Sequence, residues 1–166
     1  MTSGTRDGAA CRERAVSSAE KSLPRLSGTV LAFDFGVRRL GVAVGELAIG
    51  IAHPLQTLHM ASERARLEAI ARLIGEWSPS VLVVGLPSHM NGEEHGLSDR
   101  CRRFALKLQR RFGLDVRLVD ERLTSRAAAQ SLTATGVHGR DQSEVLDQVA
   151  AMHILETYFS ARDESA

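Results

Sequence analysis

Residues 30–45 constrain the fold more than any other stretch, because they contain two short apolar runs separated by a turn. Each run is rich in Val, Leu and Phe and too short for an ordinary helix, which predicts two buried strands. Gly36, Arg38 and Arg39 between the runs predict a tight hairpin turn. One carboxylate, Asp34, interrupts the first run. Since an ionised carboxylate in a buried strand is costly when unpaired, Asp34 requires an arginine, a backbone amide or a metal ion beside it.

The length and composition limit the class of protein. A chain of 166 residues predicts one domain with a single core. Its 21 Lys and Arg residues nearly balance its 20 Asp and Glu residues, so any nucleic-acid binding requires a local basic patch. The two cysteines, Cys11 and Cys101, lack the spacing of a zinc site and favour a reducing, cytoplasmic location. The sequence shows neither a secretory signal nor an apolar stretch of the roughly 20 residues that span a bilayer.

The apolar periodicity predicts one α/β domain over residues 28–160, between a disordered tail over residues 1–27 and a disordered end over residues 161–166. The predicted strands cover about Thr29–Phe35, Leu40–Gly45, residues 49–59 with a break at Pro54, Val81–Val84 and Val116–Val119. The predicted helices cover residues 62–77, Leu97–Phe112, Thr124 to about Leu132, and Gln142–Phe159. This order predicts a mixed five-stranded sheet, an antiparallel meander plus two parallel strands, with helices on both faces.

Three acidic residues from distant parts of the chain are expected to meet at one edge of this sheet. Asp34 is in the first strand, Glu121 follows the last strand, and Asp147 lies on the apolar face of the last helix. In open α/β sheets, sites form where the strands end and their order switches. Asp120 is the alternative to Glu121, because strand alternation places the two on opposite faces.

The acidic set favours metal-assisted chemistry. Carboxylates that converge without cations repel one another, and a hard divalent cation such as Mg²⁺ or Mn²⁺ would neutralise them. Two such ions about 4 Å apart would hold a phosphodiester for attack by water. Simpler interpretations remain open for two of the acids. Asp147 could pair with an arginine near the helix start, and Glu121 could form a surface pair with Arg122.

Five motifs, in order along the chain, resemble those of the YqgF/RuvX family. They are Asp34-Phe-Gly36, Arg39-Leu-Gly41-Val-Ala-Val44, Val84-Gly85-Leu-Pro87, Asp120-Glu121-Arg122-Leu-Thr124 and Asp147-Gln-Val-Ala150-Ala151. The resemblance implies a ribonuclease-H-like fold related to Holliday junction resolvases. It also implies a nuclease that matures the 5′ end of precursor 16S ribosomal RNA in ribosome biogenesis. The acidic residues of the family fall on Asp34, Glu121 and Asp147, which would be both catalytic and metal-holding.

Two positions depart from the family pattern. The second strand commonly ends in Asp, whereas here Gly45 is followed by Glu46. The longer side chain of Glu46 could accept a metal-bound water, but we do not expect it to be a ligand. The loop before the last helix is often rich in lysine, whereas residues 137–142 contain one Arg and one His.

Phosphate contacts require Lys or Arg near the acidic cluster. The candidates lie in the first turn, after the last strand and before the last helix: Arg38, Arg39, Arg122, Arg126 and Arg140. The basic residues between positions 100 and 111 mostly oppose the apolar stripe of their helix, which favours a solvated face. Aromatic residues make up only 4% of the chain, so base stacking and sequence-specific readout are not expected.

The sequence leaves three functions open. The first is a metal-dependent nuclease acting on precursor ribosomal RNA, alone or on ribosomal particles. The second is a resolvase of branched, four-way DNA, which would require a dimer to cut two strands symmetrically. The third is a non-catalytic domain that binds RNA during ribosome assembly. We expect no membrane partner and either a monomer or a weak homodimer.

Overall fold

A computed structural model describes residues 27–87, 95–121 and 140–165. It contains the strands β1 (Thr29–Phe35), β2 (Arg39–Glu46), β3 (Ile51–His59), β4 (Val81–Leu86) and β5 (Asp115–Asp120). Its helices are α1 (Glu63–Trp77), α2 (His95–Phe112) and α3 (Arg140–Glu164). No helix in these ranges is both long and apolar enough to cross a membrane.

The five strands form one mixed sheet with β1 at its centre. The strand order is β3-β2-β1-β4-β5. β1 pairs antiparallel with β2, and β2 pairs antiparallel with β3. β4 runs parallel to β1 and to β5, as strands joined through helices do. The predicted meander with two added parallel strands is therefore confirmed.

Side-chain alternation along β1 separates two cores on the two faces of the sheet. Leu31 and Phe33 are fully buried against residues of α1 and α2. Val30 and Ala32 are fully buried against residues of α3. The prediction of helices on both faces is confirmed. Asp34 follows Val30 and Ala32 at intervals of two residues, so its side chain lies on the face of the sheet that α3 covers.

The third strand differs from its predicted form. β3 runs unbroken through Pro54, and the predicted break is a bulge. Ala43 on β2 pairs with Pro54, whereas Val42 pairs with Gln56, so Leu55 is the extra residue. The edge position of β3 accommodates the proline, because its missing N–H removes no hydrogen bond from the interior of the sheet.

The predicted ends of α1 are confirmed, whereas α3 is longer than predicted. The Ser62 hydroxyl caps α1 by accepting a hydrogen bond from the Ala65 N–H at 3.1 Å, and Ser78 ends the helix in the left-handed conformation. α3 continues past Phe159 to Glu164, so most of the end expected to be disordered (161–166) is helical. The Arg162 guanidinium anchors this extension by donating to the Leu47 carbonyl at 2.9 Å. The predicted helix over 124–132 and tail residues 1–26 lie outside the described residues.

α3 approaches the sheet closely because β2 carries a glycine under it. A Cβ at Gly41 would overlap the carbonyl oxygen of Asp147. The packing is also tight four residues further along β2, where a Cβ at Gly45 would lie 2.9 Å from the side chains of Leu155 and Phe159. Gly41 thus determines how closely α3, and therefore Asp147, approaches the sheet.

We predict that Gly41→Ala lowers the free energy of unfolding by about 1–3 kcal/mol or more, because the new methyl group forces α3 away from β2. Gly75→Ala is the matched control, because a Cβ there meets nothing within 4 Å inside α1. This second substitution is expected to be neutral or to stabilise by up to about 1 kcal/mol. Urea unfolding followed by circular dichroism measures both changes. Equal stability of the two variants would contradict the close approach of α3.

Candidate active site

Asp34 lies near the carboxyl end of β1, and the residue beside it on each of the two neighbouring strands is a glycine. Its antiparallel partner on β2 is Gly41. On the other side, the parallel register that pairs Phe33 with Val84 places Gly85 next along β4. Because neither neighbour has a side chain, other parts of the chain can lie directly over the sheet on both sides of Asp34.

Glu121 follows β5 directly and reaches back over β4. A Cβ at Gly85 would overlap Oε1 of Glu121, so this glycine makes room for the carboxylate. Val119 on β5 is buried on the α3 side of the sheet, so Asp120 faces the other way and is exposed. The structure therefore places Glu121, and not Asp120, on the face that carries Asp34.

Asp147 enters the site from α3, and its ion-pair partner is Arg39. The Arg39 Nε lies 2.9 Å from Oδ2 of Asp147, and Arg39 Nη1 donates a 2.6 Å hydrogen bond to the Ser143 hydroxyl. The arginine pairing that the sequence left open for Asp147 is thus present. The Nε contact is not aligned as a hydrogen bond, and the buried Oδ2 accepts none from any other described group.

An open cleft of about 620 Å³ lies in front of Asp34 and Asp147. His59 and Glu144 form part of its wall, where Nε2 of His59 lies 2.7 Å from Oε1 of Glu144. Thr57 fixes this region by donating from its hydroxyl to the Glu144 carbonyl at 2.8 Å. The residues lining this active cleft are Asp34, Gly36, Val37, Arg38, Arg39, His59, Ser143, Glu144 and Asp147.

Burial and mutual repulsion make the acids of the site hard to ionise. Burial raises the pKa of Asp34 to about 6, the negative charge of Asp147 adds to this, and Arg39 opposes it. Burial likewise raises the pKa of Glu121 to about 7, with further contributions from Asp34 and Asp120. Asp34 is therefore electrostatically coupled to both of the other predicted acids, one on each side.

The pKa of Asp147 is also raised, although positive neighbours moderate the shift. Burial is the largest cause, Arg39 and His59 act against it, and Glu144 adds to it. As the side chains stand, no three His, Cys, Asp or Glu side chains in the described ranges are arranged to hold a metal ion. Arg39 instead supplies the positive charge beside Asp147.

The five arginines predicted to contact phosphate differ in their exposure, in their pairing and in whether the structure describes them. Arg38 is exposed in the turn and lines the active cleft, whereas Arg39 is held by Asp147. Arg122 and Arg126 lie outside the described residues. Arg140 is the first residue of α3, and its side chain is not among those described.

Glu46 has no place in this site, contrary to the suggestion that it could accept a metal-bound water. It pairs with Thr29 at the start of β1, five residues before Asp34, which is about 16 Å along a strand. Its Oε1 accepts a 3.0 Å hydrogen bond from the Gly28 N–H. Glu46 therefore caps the opposite end of the sheet.

Arg66 supports the turn of the active cleft, a role that our sequence interpretation missed. Its side chain is buried, and Nη2 donates to the carbonyls of Gly36 at 3.2 Å and Val37 at 2.9 Å. Its guanidinium carbon lies 4.7 Å from the centroid of the Phe35 ring. The available signal was the four-residue spacing to Ile70, which places this arginine on the apolar face of α1. His59, Ser143 and Glu144 gave no comparable signal.

Comparison with known proteins identifies the family. A family model described as RuvX, Holliday junction resolvase, matches residues 28–161. The chain belongs to the RuvX family. A relative from Methylobacillus flagellatus named "Putative pre-16S rRNA nuclease" is 58% identical over 132 residues, which cover 80% of this chain and 90% of the relative. A relative of the same name from Nitrosospira multiformis is 51% identical over 148 residues, covering 89% and 98% of the two chains.

The RuvX-family chain also resembles a solved resolvase structure. The fowlpox virus resolvase, determined in complex with Holliday junction DNA, superposes with a TM-score of 0.52 at 7% identity. The match covers 81% of this chain and 98% of the viral one. This likeness concerns the fold alone and confirms the ribonuclease-H-like architecture that the motifs implied.

We predict that Asp34→Asn stabilises the metal-free protein above neutral pH. The folded-state pKa values of Asp34 and Glu121, about 6 and 7, exceed the ordinary values of 3.8 and 4.5. Between these limits the folded chain binds more protons than the unfolded chain, so these two acids lower the free energy of unfolding as pH rises from about 4 to 7. At pH 8 in EDTA, Asp34→Asn should therefore raise the free energy of unfolding by about 1–3 kcal/mol.

The readout for this substitution is the difference between parent and variant in urea unfolding at pH 4 and pH 8. The stabilisation should be present at pH 8 and nearly absent at pH 4, where Asp34 is protonated in the folded chain. A difference that is the same at both pH values would show that the cost of ionising Asp34 is not the cause.

Proposed function

We propose that this chain is a divalent-metal-dependent nuclease that processes the 5′ end of precursor 16S ribosomal RNA in the cytoplasm. The observation that supports the proposal is that Asp34 and Asp147 line one cleft, while Glu121 lies on the same face of the sheet, where the charge of Asp34 contributes to its raised pKa. The three acids come from three separate elements, and their carboxylates are electrostatically coupled through Asp34. The names of the relatives from Methylobacillus and Nitrosospira support RNA as the substrate.

The donor set fits Mg²⁺ or Mn²⁺ in its chemistry. All three groups are carboxylates, the ligands that hard cations prefer, and the buried Oδ2 of Asp147 accepts no hydrogen bond from a described group although Arg39 Nε lies 2.9 Å away. A nearby dication would favour the ionised forms of Asp34 and Glu121, whose pKa values are raised by burial and, to a smaller extent, by repulsion from neighbouring acids. When bound, such an ion supplies a Lewis acid for the phosphoryl oxygen and makes water more acidic.

The side chains of the active cleft would position the substrate around these acids. Arg38 is exposed at the lip and offers a planar guanidinium to a phosphate group. Arg39 holds Asp147 beside Asp34 and would have to release the carboxylate before a dication could bind all three acids. The glycines at positions 41 and 85 leave room over the sheet for the Asp147 backbone and the Glu121 carboxylate, which places both acids near Asp34.

A second candidate function is cleavage of four-way DNA junctions, which the description of the matching family model favours. It requires a dimer, because two strands are cut in symmetric positions. Purified protein should therefore be given both precursor 16S RNA and a synthetic junction, with its mass measured by light scattering under the same conditions. Cleavage of the junction by a dimer, with the RNA left intact, would establish this candidate instead.

We predict that Asp34→Asn lowers the rate constant for precursor RNA cleavage in Mn²⁺ by about a thousandfold or more. The substitution removes a proposed metal ligand, and the charge stabilisation that a metal provides is worth several kcal/mol. Glu46→Gln is the matched control, because this acid caps the far end of the sheet. The control should cleave at nearly the parent rate, as measured by gel electrophoresis of a labelled transcript.

Melting temperature gives a second readout that does not depend on cleavage. Mn²⁺ should raise the melting temperature of the parent and of Glu46→Gln, because a ligand that binds only the folded state stabilises it. The rise should be reduced in Asp34→Asn. Normal cleavage by Asp34→Asn would overturn the mechanism. A parent that binds RNA, but neither responds to Mn²⁺ nor cleaves any substrate, would establish the non-catalytic alternative.

A further inference from the structure

Positive charge is concentrated on α2 although the whole chain carries a net charge of only +1. The 18 residues of α2 include six basic side chains and a single acidic one, Asp99. All six are exposed: Arg100, Arg102, Arg103, Lys107, Arg110 and Arg111. The helix therefore provides the local basic patch that nucleic-acid binding by a nearly neutral chain requires.

Part of this patch faces α1 across a small groove of about 190 Å³, which we call the α1–α2 groove. Its basic side chains are those of Arg66, Arg100, Arg103 and Lys107. The acid of the groove, Glu63, forms an ion pair with Lys107. Three positive charges thus remain without a compensating carboxylate within the groove.

Two of these charges are available to a ligand. Arg100 and Arg103 are exposed, and within the described ranges neither forms an ion pair with a carboxylate. On a helix, opposite charges three or four residues apart lie close enough to pair. Although Asp99 stands four residues before Arg103, the structure forms no ion pair between them. Arg100 and Arg103 therefore carry positive charge that no carboxylate in the described ranges neutralises by an ion pair.

The α1–α2 groove is connected to the active cleft through one turn. Gly36 and Val37 line the active cleft, and both of their carbonyls accept hydrogen bonds from Arg66, which lines the groove. Phe35, the last residue of β1, also lines the groove. The turn therefore separates two sites that lie on opposite faces of the sheet, with exposed Arg38 between them.

We propose that the α1–α2 groove binds the phosphate backbone of the RNA strand that continues beyond the active cleft. A strand leaving Asp34 would cross the turn at Arg38 and reach Arg100 and Arg103. Guanidinium groups suit phosphate because they donate two parallel hydrogen bonds. Continuity with the active cleft favours a polynucleotide over an acidic protein, and the inference rests on the proposed nuclease function.

The test compares two double variants that remove the same charge. Arg100→Gln with Arg103→Gln changes the groove. Arg72→Gln with Arg117→Gln removes two exposed arginines that do not line it. The probe is a fluorescein-labelled single-stranded RNA of 16 nucleotides, followed by anisotropy in EDTA between 50 and 200 mM KCl. Circular dichroism melting shows that both variants fold.

The groove variant is expected to bind the RNA about tenfold more weakly at 50 mM KCl. The slope of log K against log salt should become shallower by about 1.4, because each lost phosphate contact on a single strand accounts for about 0.7. In cleavage assays its KM should rise with kcat little changed, since the groove is remote from the reacting atoms. The control variant should stay within about twofold of the parent.

Three other results of these binding and cleavage assays would each lead to a different conclusion. Binding by the groove variant that equals that of the parent would overturn the inference while leaving the proposed nuclease function intact. Competition by polyglutamate as strong as that by unlabelled RNA would also overturn it and would indicate an acidic polypeptide partner. A parent that binds RNA through the groove but cleaves none would support the inference and refute the nuclease function.

Discussion

The close contact between α3 and the centre of the sheet determines the rest of the site. Small residues form this contact: Gly41 lies against the backbone of Asp147, and the buried Ala32, Ala43 and Ala151 fill the same interface. Larger side chains would lift the helix, and the Asp147 carboxylate would move away from Asp34. The spacing between strand and helix therefore decides whether two acids separated by more than 100 residues can act together.

The fold brings acids together at an electrostatic cost and compensates part of that cost locally. The pKa values of Asp34, Glu121 and Asp147 are all raised, chiefly by burial, so their ionised forms are disfavoured. Arg39 offsets the charge of Asp147, and no comparable ion pair is present at Asp34 within the described ranges. Clusters of this kind are typical of functional sites, where stability is lower than packing alone would provide.

The turn between β1 and β2 is the structural link between the two proposed binding surfaces. Gly36 permits its tight geometry, because a Cβ there would lie 2.6 Å from the Arg39 carbonyl oxygen. Arg66 holds the turn from the side of α1 and α2, while Arg39 holds it from the side of α3 through Asp147. A side chain on each face of the sheet thus anchors the segment that a polynucleotide would cross.

The sequence by itself predicted an antiparallel meander with two added parallel strands, helices on both faces of the sheet, and a cluster of Asp34 and Asp147 with either Asp120 or Glu121. These features follow from apolar periodicity, helix caps and strand alternation, which act over a few residues and are therefore visible in the pattern. Only the tertiary structure decided that Arg39 pairs with Asp147, that His59 meets Glu144, that Arg66 supports the turn, and that α3 extends to Glu164. Such polar contacts depend on which groups from distant parts of the chain the packed backbone brings within about 3 Å of one another. The periodicity of apolar residues predicts which side chains are buried, but it does not predict which polar groups pair.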